Sequence, residues 1–236
     1  MEMYNYPEIY EKAFSYRNFG KECSFIRKQL NKKTKSLLDI GCGAGQHLEI
    51  LSKYYEIGGL DKSKKMVDYA KKKLKGNFYV RDMKKFSLPK KYDSAVSMLA
   101  TFSYLVDIGD ILSHFDSVSK VLNKKGIYMI EMGNPYVWFD VRRKTILNEW
   151  EVDNIKVKIV QHPPDFLKQT VRWVVHIKQG KHRIFSENTS RILFPQEFVD
   201  VVRMSKKFRI KNIFGDFKGK PFKKDSDRMI AVLEKF

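Results

Sequence analysis

Hydrophobic and polar residues follow a strand-then-helix order over the first half of the chain. An apolar run at residues 37–40 leads into Gly41, Gly43 and Gly45, and apolar positions at helical spacing come next. The same order recurs, with further strands predicted at 56–61, 77–83, 91–99 and 127–131 and helices at 64–74 and 108–122. Strands that alternate with helices form a parallel sheet with right-handed crossovers, so the pattern predicts an α/β fold.

The pattern changes at about residue 138. Apolar residues alternate with polar or charged ones at 155–159 and 171–177, and a further run at 183–194 follows a turn. This two-residue period predicts an antiparallel meander inserted into the α/β domain. The remaining predicted elements are a helix at 195–207 and strands at 208–214 and 228–234.

The first thirty residues are rich in aromatic side chains and are predicted to be helical. Ile9, Phe14 and Phe25 fit a segment that packs on the domain as core, whereas Tyr16 and Arg17 fit a lid over a ligand site. Both interpretations stay open at the level of sequence. We predict one domain over residues 1–236, with a helical lid at 1–30 and the β insertion at about 138–194.

The formal charge of +19 raises the question of a nucleic-acid partner. Of the 46 basic residues 35 are lysines, and they are scattered in pairs and triplets along the chain. A scattered lysine coat is typical of a solvated surface, whereas nucleic-acid binding needs a clustered patch or stripe. A nucleic-acid partner is therefore an alternative that the charge distribution does not favour.

Cysteine usage and hydropathy narrow the class of protein further. Cys23 and Cys42 are the only cysteines, too few for a disulfide framework, and no metal-ligand spacing is present. No apolar run approaches the length of a membrane-spanning helix, and residues 1–12 lack the basic-then-apolar order of a signal peptide. We expect a cytoplasmic protein with no membrane partner and no metal, and the sequence leaves the oligomeric state open.

Acidic side chains mark the ends of several predicted strands. Asp61 lies twenty residues beyond Gly41, the spacing at which an acid at the end of the second strand accepts from two ribose hydroxyls. Asp82 lies at the end of the third predicted strand and can accept from an adenine amino group. Because parallel strands bind ligands beyond their carboxyl ends, these acids predict a nucleoside site beside the glycine loop.

These motifs together resemble those of the class I S-adenosylmethionine-dependent methyltransferases over essentially the whole chain. The matching segments are the glycine loop at 38–45, the acid-ended strand at 59–61, Arg81-Asp82-Met83, the fourth-strand segment at 92–96 with 99–105, and the turn at 122–127. Residues 10–17, 215–217 and 221–222 resemble a branch that carries an inserted antiparallel sheet and acts on small molecules, including the amino-sugar N-methyltransferases.

The resemblance implies a Rossmann-like, doubly wound, seven-stranded sheet whose last strand is antiparallel, with a small antiparallel β insertion after strand five. It implies S-adenosyl-L-methionine as the cofactor. The cofactor-binding residues that it implies are Tyr16, Arg17, Asp39, Gly41, Gly43, Gly45, Asp61, Lys62, Met66, Asp82, Met83 and Leu99.

The predicted function is methyl transfer to a small-molecule acceptor. Tyr104 and Glu131 are the candidate catalytic residues, each as an orienting or a proton-accepting group near the strand ends. One alternative is a tRNA or rRNA methyltransferase that uses the basic surface. A second alternative is a protein that binds S-adenosylmethionine without catalysis.

Overall fold

A computed structural model describes residues 2–139 and 145–236, which form two sheets. The strands of the larger sheet are β1 (Ser36–Ile40), β2 (Glu56–Asp61), β3 (Asn77–Val80), β4 (Tyr92–Ser97), β5 (Leu122–Gly133), β10 (Phe208–Phe214) and β11 (Arg228–Lys235). The strands of the smaller sheet are β6 (Thr145–Val152), β7 (Ile155–Gln161), β8 (Thr170–Gln179) and β9 (His182–Arg191).

Seven α-helices occur within the described ranges. They are α1 (Pro7–Ala13), α2 (Phe19–Gln29), α3 (Gln46–Leu51), α4 (Lys64–Lys73), α5 (Ile108–Val121), α6 (Pro135–Phe139) and α7 (Pro195–Ser205). Short 3₁₀ turns lie at Glu2–Asn5 and Thr101–Tyr104. None of the helices described has the length and apolar character that crossing a membrane requires.

The larger sheet has the strand order β10-β11-β5-β4-β1-β2-β3, and only β11 runs against its neighbours. The chain builds outward from β1 through β2 to β3 and then returns to place β4 on the other side of β1. Ligands bind at such a reversal of strand order, beyond the carboxyl ends of the strands. The predicted sheet, its antiparallel last strand and the β insertion are confirmed.

Local sequence explains where the central elements begin and end. All five residues of β1 are buried, as expected for a strand covered on both faces by helices. Ser63 caps α4, since its side chain accepts a hydrogen bond from the Met66 backbone N–H. β3 ends at Val80 rather than 83, so Asp82 lies in the loop beyond it, and β5 begins at Leu122 rather than 127.

Each face of the larger sheet carries its own apolar core. Phe115, Val118 and Phe198 cover one face from α5 and α7. Phe25 and Ile26 of α2 cover the other face. Two covered faces fix the sheet as a buried wall, and ligands therefore have access only at the strand ends.

The smaller sheet packs against the N-terminal segment. Tyr10 and Phe14 share an apolar cluster with Ile155 and Val157 of β7. The Trp150 indole N–H donates to the Ala13 backbone carbonyl at 2.7 Å. This contact brings the inserted sheet over the same edge of the domain that carries the glycine loop.

The structure contains a strand, β6, that the sequence pattern did not predict as the first strand of the meander. The register of β6 against β7 shifts between Ile146 and Asn148, and such a bulge interrupts the regular alternation of side chains. Pattern reading relies on that alternation, which explains why 145–152 was not predicted as a strand. Residues 140–144 of the predicted insertion lie outside the described residues, as does Met1.

His114 ties α5 to the loop that follows β3. Its Nδ1 donates to the Met83 carbonyl at 2.7 Å, and its Nε2 accepts from the Tyr128 hydroxyl at 2.7 Å. The imidazole is fully buried, and burial lowers its pKa to about 4, although the bond to Met83 acts in the opposite direction. His114 is therefore a neutral structural group that supports the strand-end loop.

Acid should weaken the fold through His114. Its folded pKa lies below the ordinary value of 6.5, so the unfolded chain takes up the proton first as the pH falls. We expect the stability that His114 contributes to be lost between pH 6.5 and 4, by roughly 3 kcal/mol. Urea unfolding across that window should show a weaker pH dependence for His114→Gln, whose amide offers a donor and an acceptor but does not titrate. The exposed His176→Gln should follow the wild type, and equal slopes for all three proteins would contradict the assignment.

Candidate functional site

The glycine loop after β1 is held in a conformation that few other residues adopt. Gly41, Gly43 and Gly45 have φ angles of +78°, +51° and +87°. The backbone N–H groups of Gly41 and Cys42 both donate to the Leu60 carbonyl of β2. A Cβ at Gly41 would lie 2.3 Å from the Thr101 side chain, so this position requires glycine for close approach.

Asp61, at the end of β2, faces the glycine loop. One carboxylate oxygen accepts from the Gly43 N–H at 2.9 Å and the other from the Ser63 N–H at 2.8 Å. Burial raises the pKa of the carboxyl above its ordinary value, and these backbone donors act against that shift. Each oxygen keeps a further lone pair, so the carboxylate can accept from two neighbouring hydroxyls.

Asp82 stands in the loop beyond β3 and has a different environment. It accepts from the Lys84 N–H at 2.9 Å and pairs with the Lys62 ammonium at 2.9 Å. Partial burial raises the pKa of this carboxyl, but the Lys84 N–H and the Lys62 charge outweigh it and the net shift is downward. Asp82 is therefore an ionised acceptor at the rim of the site.

A first cavity of about 680 Å³ opens beside these residues. Six of the predicted cofactor residues line it: Gly41, Gly43, Asp61, Lys62, Asp82 and Met83. Three others lie behind its wall. Asp39 is 2% exposed and its Oδ1 has no hydrogen-bond partner among the described residues, Gly45 packs on Leu74, and Met66 is fully buried in α4.

A second cavity of about 450 Å³ lies between the N-terminal segment, the ends of β4 and β5, and the smaller sheet. The other three predicted cofactor residues, Tyr16, Arg17 and Leu99, line this second cavity and not the first. Both candidate catalytic residues, Tyr104 and Glu131, also line it. The two cavities share four wall residues: Tyr4, Tyr10, Thr101 and Tyr104.

Glu131, at the end of β5, is surrounded by hydrogen-bond donors. Arg17 Nη2 contacts both carboxylate oxygens at 2.9 and 3.0 Å, Arg228 Nη1 contacts Oε1 at 2.6 Å, and the Leu99 N–H contacts Oε2 at 2.7 Å. A carboxylate has about four acceptor positions, and these contacts fill them. The geometry suits an orienting role for Glu131 better than the uptake of a proton.

The Glu131 network continues away from the cavity through Arg17. Arg17 Nε pairs with Glu22 of α2 at 2.7 Å, and Glu22 in turn contacts His47 of α3 at 2.8 Å. Burial alone would lower the pKa of Arg17, but Glu131 and Glu22 raise it, so the guanidinium stays charged. The network therefore joins the N-terminal segment to the helix that follows the glycine loop.

Tyr104 stands where the two cavities meet. Its hydroxyl lies 3.1 Å from the Tyr4 hydroxyl. Burial raises the pKa of Tyr104, the bond to Tyr4 opposes this, and the Asp61 charge adds to the rise. The phenol therefore remains protonated at neutral pH, where it can donate or accept a hydrogen bond but does not act as a phenolate.

The backbone before Tyr104 is strained. Leu99 and Ala100 have φ angles of +56° and +55°, which side-chain-bearing residues adopt at a cost of about 1–3 kcal/mol each. The bond from the Leu99 N–H to Glu131 helps to hold this turn. Strain of this kind clusters at functional sites, and here it directs Thr101 and Tyr104 toward both cavities.

Several cavity residues were absent from the set predicted as site residues. Tyr4, Tyr10 and Thr101 line both cavities, and Trp173 and Asn188 reach the second one from the smaller sheet. The aromatic N-terminus and the 99–105 segment carried a signal for the first three. Nothing in the sequence pattern distinguished Trp173 or Asn188 from other inward-facing strand residues.

Comparison with known proteins agrees with this architecture. Residues 37–126 match the family model described as "Methyltransferase domain". A dTDP-3-amino-3,4,6-trideoxy-alpha-D-glucopyranose N,N-dimethyltransferase of Streptomyces venezuelae is 28% identical over 134 residues, which cover 54% of this chain and 56% of that protein. The chain thus spans only a little over half the length of the first curated relatives that it matches.

Solved structures extend the likeness of fold to nearly the whole chain. An S-adenosylmethionine-dependent methyltransferase from Clostridium acetobutylicum superposes with a TM-score of 0.83 at 19% identity, covering 96% of each chain. The amino pentose methyltransferase CalS10 from Micromonospora echinaspora has a TM-score of 0.75 at 17% identity, covering 97% of each. The predicted resemblance is confirmed in sequence over residues 37–126, which match a methyltransferase-domain model, and in fold over nearly the whole chain, which has the fold of these class I methyltransferases.

Removing the buried charge of Asp39 should stabilise the protein at neutral pH. Burial raises the pKa of this carboxyl to about 6, with His47 opposing and Asp61 adding to the rise. The folded pKa exceeds the unfolded one, so the fold loses stability as the pH rises from the unfolded pKa to about 6, and the loss persists at higher pH. We expect Asp39→Asn to gain about 2–3 kcal/mol at pH 7.5 and to lose that gain as the pH falls from 6 to 4.

Urea unfolding of the ligand-free protein at several pH values measures this effect. Asp93→Asn is the matched control, and its expected change in stability has the opposite sign. Partial burial raises the pKa of Asp93, but the Lys35 and Ser36 backbone donors and the Asn123 amide outweigh it and lower the pKa. That variant should lose stability at pH 7.5. A destabilised Asp39→Asn at the same pH would show that the Asp39 charge is compensated in the fold.

Proposed function

We propose that this protein transfers a methyl group from S-adenosyl-L-methionine to a small-molecule acceptor. The observation that carries the proposal is the junction of two cavities of different character through the shared wall of Tyr4, Tyr10, Thr101 and Tyr104. A transfer between two bound molecules needs two adjoining sites, because positioning supplies much of the rate of a displacement reaction.

The first cavity fits the cofactor in the chemistry of its donor set. Asp61 offers both carboxylate oxygens to paired ribose hydroxyls, and Asp82 offers an acceptor to an adenine amino group. A Cβ at Gly43 would come 3.8 Å from the Tyr10 ring on the cavity wall, so glycine leaves room for a ligand there. When bound, S-adenosylmethionine supplies an electrophilic methyl group on a sulfonium.

The residues of the chain contribute by positioning the acceptor. Tyr104 orients the acceptor's nucleophilic group with its neutral hydroxyl, and Tyr4 fixes that hydroxyl. Glu131 holds Arg17, Arg228 and the strained Leu99 turn in place. The resemblance implies that Tyr16, Arg17 and Leu99 bind the cofactor, but these residues line the second cavity. They contact the cofactor only if it extends from the first cavity into the second.

The acceptor in this proposal is a small molecule such as the amino sugars on which the named relatives act. It occupies the second cavity, with the N-terminal segment as a lid and the smaller sheet as the opposite wall. The chain acts as one domain in this arrangement. A cytoplasmic location fits, since Cys23 and Cys42 are both free and buried.

Loss of the Asp61 carboxylate should weaken cofactor binding. We expect Asp61→Ala to raise the dissociation constant for S-adenosylmethionine at least tenfold, because two charge-assisted hydrogen bonds are lost. Calorimetry measures the affinity, and thermal unfolding checks the fold of the variant. The control is Asp68→Ala, an acid on α4 outside both cavities that pairs with Lys64. A wild type that does not bind the cofactor would refute the proposed function.

The Tyr104 hydroxyl should act on catalysis more than on cofactor binding. With labelled cofactor and an accepted amine, we expect Tyr104→Phe to reduce kcat at least tenfold while the cofactor affinity changes less than twofold. Tyr69→Phe is the matched control, since the Tyr69 hydroxyl donates to Glu11 outside both cavities. An unchanged kcat for Tyr104→Phe would show that the Tyr104 hydroxyl takes no part in the mechanism.

A further inference from the structure

The inner face of β9 carries polar side chains where a packed strand normally carries apolar ones. Ser186, Asn188 and Ser190 alternate along this face and are 1%, 6% and 3% exposed. The Ser186 hydroxyl and the Asn188 Oδ1 have no hydrogen-bond partner in the described part of the chain. Buried polar groups are hydrogen-bonded in the great majority of cases, so an unpartnered pair on one strand calls for an explanation.

Asn188 and Ser186 differ in their position relative to the second cavity. Asn188 lines the second cavity, whereas Ser186 does not. Opposite Asn188 on β8 lies Trp173, whose indole meets Trp138 edge-on with ring centroids 4.9 Å apart, and both tryptophans line the same cavity. An amide with hydrogen-bonding capacity therefore stands beside an aromatic wall, the combination by which pockets hold and orient a ring.

Among the charged residues that line the second cavity, the buried carboxylate of Glu131 lacks comparable free capacity, whereas Asp227 is exposed to solvent. Glu131 is saturated by Arg17, Arg228 and the Leu99 N–H. A charged substituent placed against the buried Asn188 amide would lose its hydration there, which is costly unless a counter-charge pairs with it. An uncharged donor or acceptor, such as a hydroxyl, fits the amide without that cost.

We propose that Asn188 is a specificity-determining residue. Its amide forms a hydrogen bond with an uncharged substituent on an acceptor ring that is held against Trp173. The acceptor class is a ring that bears at least one hydroxyl besides its nucleophilic group. The inference rests on the proposed function, because it assigns the contacts of the acceptor in the second cavity. Asn188 touches the acceptor away from the reacting atoms, so its effect appears in KM.

Two ring amines that differ by one hydroxyl test the inference. The probes are trans-4-aminocyclohexanol and cyclohexylamine at millimolar concentrations, with labelled S-adenosylmethionine. We expect the wild type to favour the amino alcohol at least tenfold in kcat/KM. Asn188→Leu should remove that preference by raising KM for the amino alcohol about tenfold or more, with cyclohexylamine changed less than twofold. Asn188→Asp, similar in size, keeps an acceptor oxygen for the hydroxyl and should therefore retain the preference.

Ser186→Ala is the matched control, since Ser186 lies on the same strand and face and is also buried, but outside the cavity. It should keep the wild-type preference. Equal kcat/KM for the two amines in the wild type overturns the inference, even where the variants do not fold. Cofactor binding by calorimetry without methylation of the amino alcohol also overturns it and leaves the proposed function standing. Absence of cofactor binding overturns both.

Discussion

The buried ion network around Glu131 is the interaction on which the site depends. It joins Arg17 of the N-terminal segment, Arg228 at the start of β11 and the strained Leu99 turn to the end of β5. Removing one member of a buried ion pair costs about 3–5 kcal/mol, because the partner charge is left unpaired. These segments are distant in sequence, and the single carboxylate therefore determines how the second cavity is enclosed.

The two cavities are formed by different parts of the fold. The first lies at the reversal of strand order in the larger sheet, where backbone N–H groups and strand-end acids are fixed by the ladder of β1 and β2. The second depends on the smaller sheet and the N-terminal segment, which pack on each other through Tyr10, Phe14 and β7. In the proposed function, cofactor recognition is thus built into the core of the domain, and acceptor recognition into an added layer.

Pattern reading found the strand-end acids and the glycine loop, yet it did not separate residues that face a cavity from residues behind its wall. Asp39, Gly45 and Met66 belong to the same motifs as the lining residues but do not line the first cavity. Asp39 is buried in β1 and Met66 in α4, and a motif does not specify how these elements pack on one another. Strand β6 was missed for a related reason, since a bulge hides its alternation.

The sequence by itself determined the parallel sheet, its switch point and the acids beside the glycine loop, because these features follow from periodicity and short-range spacing. Only the tertiary structure decided that Tyr4 meets Tyr104, that two arginines contact Glu131, and that the Asn188 Oδ1, beside Trp173, has no hydrogen-bond partner among the described residues. The contacts of Tyr4 and Glu131 join segments about a hundred residues apart, whereas Asn188 and Trp173 lie on neighbouring strands of the smaller sheet. Their geometry depends on how whole elements pack, which no local pattern encodes.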